Sequence, residues 1–251
     1  TETNTFGKGL TGTGTTTVNS GETTFNGAVA QTTLTINGGV VDANNTVSTT
    51  NLTNKGTLYV GASDLQVTNA VDNQGILNLE EGILASDITT TATTPVTGTT
   101  NVVGNVSSNK TITQHTLTTS GEKTLTNTGT VTVSNTLTNA GTIQNEGTLN
   151  VSGTNYLGLI TDNATPSGTL YLTGTMTADK AVTQNVVNVN SGSLAVNNQI
   201  NSSSFNNSGT VTVNDLTGSI TSTTIANKAG SITANASNLI GNIENKSTLN
   251  L

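Results

Sequence analysis

The stretch Asn145-Glu-Gly-Thr-Leu-Asn-Val151 decides the fold, because the same phrase recurs along the chain. It returns as Asn54-Lys-Gly-Thr-Leu-Tyr-Val60, Asn73-Gln-Gly-Ile-Leu-Asn-Leu79, Asn127-Thr-Gly-Thr-Val-Thr-Val133 and Asn207-Ser-Gly-Thr-Val-Thr-Val213. Each copy ends in an aliphatic, a polar and an aliphatic residue, the alternation of a strand with one buried face. Repeats with a period of about 20 residues are typical of solenoids.

The spacing of the copies sets the length of one coil. Gly56 and Gly75 lie 19 residues apart, and Gly129 and Gly147 lie 18 apart. Rungs of about 18–22 residues, each with three short strands, give roughly a dozen rungs in this chain. We therefore predict an all-β fold, a right-handed parallel β-helix (β-solenoid) in which residues 1–251 form one domain. The phrase is lost near residues 85–106 and 154–184, where we expect irregular or looped rungs.

The Asn and Gly of each phrase are predicted to form the corners. Gly supplies the positive φ of a tight corner, and the Asn turns inward to bond to the Asn of the rungs above and below. The predicted corner positions are Asn54, Gly56, Asn73, Gly75, Asn127, Gly129, Asn145, Gly147, Asn207 and Gly209. Candidate surface contacts are the outward residues Thr57, Tyr59, Thr130, Thr132, Thr169, Tyr171, Thr210 and Thr212.

Composition agrees with short strands and many corners, and it excludes several classes of function. The chain has 57 Thr, 36 Asn and 27 Gly but only 2% aromatic residues. Its net charge is −7 and every one of its seven basic residues is Lys, which argues against binding to nucleic acid. There is no Cys for thiolate chemistry, and no apolar run approaches the ~20 residues of a membrane span. We expect no direct insertion into a membrane.

Candidate catalytic chemistry is sparse. His115 is the single histidine, and a surface strand position is favoured over a role as general base. Glu80, Glu81 and Asp87 are the closest acidic group, for which a solvated corner is favoured over a cation site. A glycosidase needs facing carboxylates, and the other acids are scattered. We therefore expect no enzyme activity, no metal and no cofactor.

Two surface alternatives stay open from the residues alone. Tyr59 and Tyr171 both occupy the outward middle position of a strand triplet, so they form either an exposed pair on one face or two unrelated surface tyrosines. The outward Thr pairs invite comparison with the Thr arrays of ice-binding solenoids. That function is disfavoured because the column is interrupted too often for a flat lattice match.

The repeats resemble those of bacterial passenger adhesins. The segment Gly9-Leu-Thr-Gly-Thr-Gly-Thr-Thr-Thr-Val-Asn-Ser-Gly21, with Leu34-Thr-Ile-Asn-Gly-Gly39, looks like repeats of autotransporter passenger domains. The segment Leu137-Thr-Asn-Ala-Gly-Thr-Ile-Gln-Asn-Glu-Gly-Thr-Leu-Asn-Val151 is similar to repeats of filamentous-haemagglutinin-like exoproteins. The resemblance implies secretion, display at the bacterial outer membrane, and a role in adhesion, autoaggregation or biofilm formation.

The leading hypothesis from the sequence is a non-enzymatic extracellular adhesin or self-association module. Its partner would be a second copy of the chain, or a glycan or protein receptor on a cell surface. The alternative is a structural subunit of an extracellular filament or surface layer that assembles through its terminal rungs. A carbohydrate-active enzyme and an ice-binding protein are less favoured.

Overall fold

The computed structural model describes residues 2–62, 64–91, 97–163, 165–235 and 238–251. Over these residues the protein is all-β, without an α-helix, and parallel strands stack as a β-solenoid of about 13 turns. The predicted fold class is confirmed. Every pairing between rungs is parallel, so the backbone hydrogen bonds of the strands run along the axis of the coil.

Each turn has three sides, which we call A, B and C in the order in which the chain visits them. Long strands pass through a corner and belong to two sides, and β22 belongs to all three. Side A contains β1 (Thr3–Phe6), β4 (Glu22–Phe25), β6 (Val40–Ala43), β8 (Thr57–Ala62), the start of β11 (Ile76–Leu84), β13 (Thr99–Val102), the ends of β15 (Thr111–Thr119), β17 (Thr130–Asn139), β19 (Thr148–Leu157), β21 (Thr169–Ala178) and β22 (Val182–Val196), then β24 (Thr210–Val213), β26 (Ser231–Thr233) and β28 (Thr248–Asn250).

Side B contains β2 (Leu10–Thr11), β9 (Leu65–Val67), the end of β11, β14 (Val106–Ser108), β16 (Thr124–Asn127), β18 (Thr142–Asn145), β20 (Leu159–Thr161) and the starts of β5 (Val29–Ile36), β7 (Val47–Asn54), β22, β23 (Gln199–Asn207), β25 (Ser219–Asn227) and β27 (Leu239–Asn245). Side C contains β3 (Thr15–Val18), β10 (Val71–Asn73), β12 (Ile88–Thr89), the starts of β15, β17, β19 and β21, the middle of β22, and the ends of β5, β7, β23, β25 and β27.

Rung length varies more than the sequence predicted. Partners in register are separated by 17 residues between Val71 and Ile88 but by 24 between Ile88 and Ile112. The short and long rungs still bring equivalent aliphatic residues into one column. Because the extra residues of a long rung are accommodated at its corners, the strands and their inward side chains keep their register.

The core is a set of aliphatic columns rather than one globular cluster. On side C one column runs through Leu34, Leu52, Val71, Ile88, Ile112, Val131, Leu149, Leu170, Val187, Phe205 and Ile225, all fully or almost fully buried. Each side chain packs on its equivalent one rung away. The core therefore needs few aromatic residues, which agrees with the composition, and burial accumulates along the stack.

The irregular regions are shorter in sequence than the two predicted stretches, 85–106 and 154–184. In 85–106, β12 ends at Thr89 and β13 begins at Thr99; residues 92–96 between them lie outside the described part. In 154–184 the departure from regular strand is a loop between Thr161 and Thr169, whereas β19 and β21 run regularly on either side.

Each of these two interruptions of the strand pattern is bridged inside the coil by a buried glutamine. Gln114 and Gln184 are both 1% exposed. The Gln114 amide accepts from Asn73 Nδ2 at 2.7 Å across two rungs, and Gln184 accepts from Asn145 Nδ2 in the same way. The Gln side chain, which is longer than that of Asn, reaches across a rung that has no Asn at this corner.

Candidate functional surface

The ten predicted corner residues lie at two different corners of the coil. Asn54, Asn73 and Asn207 end strands of side C, so their glycines lead into side A. Asn127 and Asn145 end strands of side B, so Gly129 and Gly147 lead into side C. The copies of the repeated phrase therefore do not all lie in one column. Some lie at the corner between sides C and A, and others at the corner between sides B and C.

At both corners the asparagines are fully buried and form ladders. Asn54 Nδ2 donates to Asn73 Oδ1 at 2.8 Å, and Asn127 Nδ2 donates to Asn145 Oδ1 at 2.7 Å. Asn207 Nδ2 donates to Asn227 Oδ1 at 2.8 Å. These amides are buried and bond along the corner, although Asn54 Oδ1 has no partner among the described residues. They therefore hold rungs together and do not face a ligand.

The prediction that the glycines of the phrase supply a positive φ was wrong, because none of the five has one. They are required instead by close approach of the backbone. A Cβ on Gly75 would lie 2.1 Å from the carbonyl oxygen of Gly56, and one on Gly147 would lie 2.1 Å from that of Gly129. Successive rungs are in contact at these glycines. The phrase thus serves the stacking of the coil at either corner.

The eight candidate surface residues are likewise divided between two sides. Thr57, Tyr59, Thr210 and Thr212 face outward on side A, and Thr130, Thr132, Thr169 and Tyr171 face outward on side C. Tyr59 and Tyr171 therefore do not form a pair on one face. The comparison with ice-binding arrays treated these residues as one column, and that premise was wrong.

Side A carries a long face without charged side chains. From β8 to β28 its outward residues, two per rung, are Thr57 and Tyr59, Ile76 and Asn78, Thr99 and Asn101, Thr116 and Thr118, Thr136 and Thr138, Thr154 and Tyr156, Thr175 and Thr177, Ser193 and Ala195, Thr210 and Thr212, Ser231 and Thr233, Thr248 and Asn250. We call these residues face A. The sequence did not predict Tyr156, which is 69% exposed and shares a column with Tyr59.

Charged residues in the same rungs lie at the corners or on side C, where Asp72 is in β10 and Glu244 is in β27. Glu80 and Glu81 lie where β11 passes from side A to side B, and Glu122 and Lys123 lie between β15 and β16. Lys228 lies between β25 and β26. The net charge of −7 is thus kept off face A.

The candidate chemical groups are not assembled into a site. His115 is half-buried at a corner within β15, 3.5 Å from Ser134 Oγ. Glu80 and Glu81 lie between sides A and B, whereas Asp87 lies at the start of side C and accepts a hydrogen bond from Thr111 N at 2.8 Å. In the described ranges no group of three or more His, Cys, Asp or Glu is placed to hold a metal ion.

A search of the described residues for a membrane-spanning helix finds none. Comparison with protein-family models, with curated proteins and with solved structures finds no match for this chain.

Proposed function

We propose that this protein is a non-enzymatic adhesion module, secreted and displayed at the bacterial cell surface, that self-associates laterally through face A. The observation that carries the proposal is the uncharged, regular face that extends from β8 to β28. The resemblance to passenger adhesins supports the extracellular setting.

The size of face A is suited to a contact between two rods. Its rungs, at about 4.8 Å each, span about 50 Å, and four residues of strand add a width of about 13 Å. Two such faces would bury about 1,300 Å² in total, which is within the range of stable protein interfaces. Side B offers a less regular surface, since β20 pairs with β22 through Ile160 alone.

The chemistry of face A favours many weak contacts over one anchor. Thr and Ser hydroxyls and Asn amides form direct or water-mediated hydrogen bonds, each of small net value. Tyr59, Ile76 and Tyr156 add exposed apolar surface to the same face. With no charges to screen, the contact should change little with salt.

The test is sedimentation of the wild-type chain and of a Thr136→Lys, Thr138→Lys variant, which places two positive charges on face A. We expect concentration-dependent dimers for the wild type and monomers for the variant. The matched control is Thr130→Lys, Thr132→Lys, with the same substitutions in the same pattern on side C; it should dimerise like the wild type.

Other outcomes separate the alternatives. A salt change from about 50 to 500 mM should alter the dimerisation constant by no more than about twofold. Ordered end-to-end fibres that face A substitutions leave intact would support the filament subunit instead. Turnover of a polysaccharide would contradict the non-enzymatic role.

A further inference from the structure

Two columns on different sides of the coil share one arrangement, a tyrosine with an asparagine on each of the next two rungs. The residues run in register from strand to strand on both sides. The side-A triplet is Tyr59, Asn78 and Asn101; the side-C triplet is Tyr171, Asn188 and Asn206.

The two triplets share one internal bond, although Asn206 Nδ2 also donates to Ser204 Oγ at 3.1 Å. In each, the upper amide donates to the lower one: Asn101 Nδ2 to Asn78 Oδ1 at 2.8 Å, and Asn206 Nδ2 to Asn188 Oδ1 at 3.1 Å. The two tyrosines are equally exposed, at 36%. The third tyrosine, Tyr156, lies in register with Thr138, lacks an amide pair and is 69% exposed.

The internal bond uses one N–H of the upper Asn and the Oδ1 of the lower Asn, so the Nδ2 of the lower Asn and the Oδ1 of the upper Asn stay available in each pair. Asn78 Nδ2 donates to no atom of the described residues, and neither does Asn188 Nδ2. Asn78 is only 5% exposed, but its Nδ2 is not among the buried polar atoms without a partner in the described residues, so the amide still reaches solvent. A ligand hydroxyl that accepts a hydrogen bond from this Nδ2 would take the place of a water molecule.

A planar ring beside an amide donor and an amide acceptor is complementary to a pyranose sugar. The apolar C–H face of the sugar stacks on the ring, while adjacent hydroxyls both donate and accept. Two rungs span about 10 Å, enough for one or two sugar rings of an extended chain. Neither triplet contains a charged residue, which fits an uncharged sugar, and Asp42, in register with Tyr59 on the preceding rung, would disfavour an anionic one.

We propose that the side-A and side-C triplets are equivalent binding sites for a neutral, extended glycan. The sites lie on different sides and about five rungs, or ~24 Å, apart along the axis, so one rod presents two sites and gains from multivalent display. The proposal rests on the proposed adhesive role, to which it gives a ligand class. The side-C triplet lies outside face A, so glycan binding and self-association can fail separately.

The test uses cellohexaose, maltohexaose and chitohexaose as neutral probes, with NMR of side-chain amides and tyrosine rings. The chain has three Tyr and no Trp, so three single variants assign every tyrosine signal. With one of the probes at about 10 mM, the signals of Tyr59, Tyr171, Asn78 and Asn188 should shift, and those of Tyr156 should not. No shift with any of the three probes would overturn the proposal.

Variants locate the effect. Thr occupies the equivalent column position in other rungs, so Tyr59→Thr and Tyr171→Thr should fold, and each should weaken binding at its own triplet about tenfold. Asn101→Thr and Asn206→Thr remove the amide pair but keep the ring, and they should weaken binding as well. Tyr156→Thr is the matched control; an equal loss of binding in this variant would overturn the proposal.

The two proposals have separate readouts. Tyr171→Thr should lose the side-C shifts and still sediment as a dimer. A dimeric wild type that shifts with none of the probes would contradict the glycan sites alone. A monomeric wild type that shows the predicted shifts would contradict self-association alone.

Discussion

The strand pattern is interrupted after β12 and after β20, at two different corners, and a buried glutamine bridges each interruption. At the first junction, between sides C and A, Gln114 Nε2 donates to the carbonyl oxygens of Thr89 at 3.1 Å and Thr113 at 2.9 Å. At the second, between sides B and C, Gln184 Nε2 donates to those of Thr161 at 2.8 Å and Thr183 at 2.7 Å. The bonds are equivalent although the corners are not.

The glycines on the returning side of the two loops show the same equivalence. A Cβ on Gly98 would lie 2.3 Å from the Asn73 carbonyl oxygen, and one on Gly168 would lie 2.0 Å from that of Asn145. The difference is backbone conformation, since only Gly98 has a φ in the left-handed region, at +110°. A corner is therefore defined by its local chemistry, and both of these corners hold an Asn ladder in some rungs and an interruption in another.

The largest effect is expected from removal of the bridging amides. Gln114→Leu and Gln184→Leu leave buried carbonyl groups and one Asn N–H without partners, so each should lower the free energy of unfolding by about 3 kcal/mol. Gln→Asn at either position should also destabilise, because the shorter side chain does not span two rungs. Urea unfolding measures both.

The matched control is Gln66→Leu on the exposed surface of side B, which should change stability by less than about 0.5 kcal/mol. A large loss at one junction with none at the other would contradict their equivalence.

The glycines come next. Gly98→Ala and Gly168→Ala both force a Cβ onto a backbone carbonyl, and each should destabilise by about 2 kcal/mol. Gly98→Ala should cost about 1 kcal/mol more, because it also holds a non-glycine residue at positive φ. Gly121→Ala is the control, since its Cβ would meet nothing within 4 Å. Thermal unfolding measures the loss of stability in each variant. A smaller loss for Gly168→Ala would support the added cost of positive φ at Gly98, and equal losses would contradict it.

A smaller effect is expected from the carboxylates at the loop bases. Asp162 accepts hydrogen bonds from the backbone N–H groups of Asn163, Ser167 and Gly168. Asp72 accepts from the N–H and hydroxyl groups of Thr91. Asp162→Ala and Asp72→Ala should each cost about 1 kcal/mol, because these groups are partly solvated. Limited proteolysis should show faster cleavage at the loop whose carboxylate was removed, and no change at the other.

The smallest effect concerns the corner between sides A and B, where β15 leads into β16. There Glu122 holds a φ of 62°, and the Lys123 N–H group donates to the Ser120 carbonyl oxygen at 3.2 Å. Glu122→Gly should raise the free energy of unfolding by about 0.5 kcal/mol, since the relief of positive φ exceeds the added chain entropy of glycine. Glu146→Gly, at a corner residue without positive φ, should not stabilise. Differential scanning calorimetry of the two variants measures the difference in stability.

The fold was readable from the sequence because one phrase carries strand, corner and rung length together. The alternation in Leu149 and Val151 fixes which residues point inward, and the Asn-Gly pair fixes where the chain turns. Which corner a phrase occupies was not readable. Asn54 and Asn127 both follow Leu-Thr and both stand two residues before a Gly-Thr, and their position depends on the summed lengths of all preceding rungs.

The surface was less predictable for the same reason. Tyr59 shares a column with Tyr156 rather than with Tyr171, and this follows only from the stacking order of the rungs. The bridging glutamines carried a signal that was overlooked: Gly98 precedes Gln114 by 16 residues, and Gly168 precedes Gln184 by 16. A search for repeated spacing beyond the main phrase would have found them.

The direction of the strand hydrogen bonds has a mechanical consequence. Because the bonds between rungs run along the axis, a force that pulls the two ends apart loads one rung at a time rather than a whole sheet in shear. Each rung that opens releases about 18 residues, which extend to about 60 Å, in place of the ~4.8 Å it occupied in the stack. Under tension the coil would therefore lengthen stepwise, while the unopened rungs keep their surfaces intact.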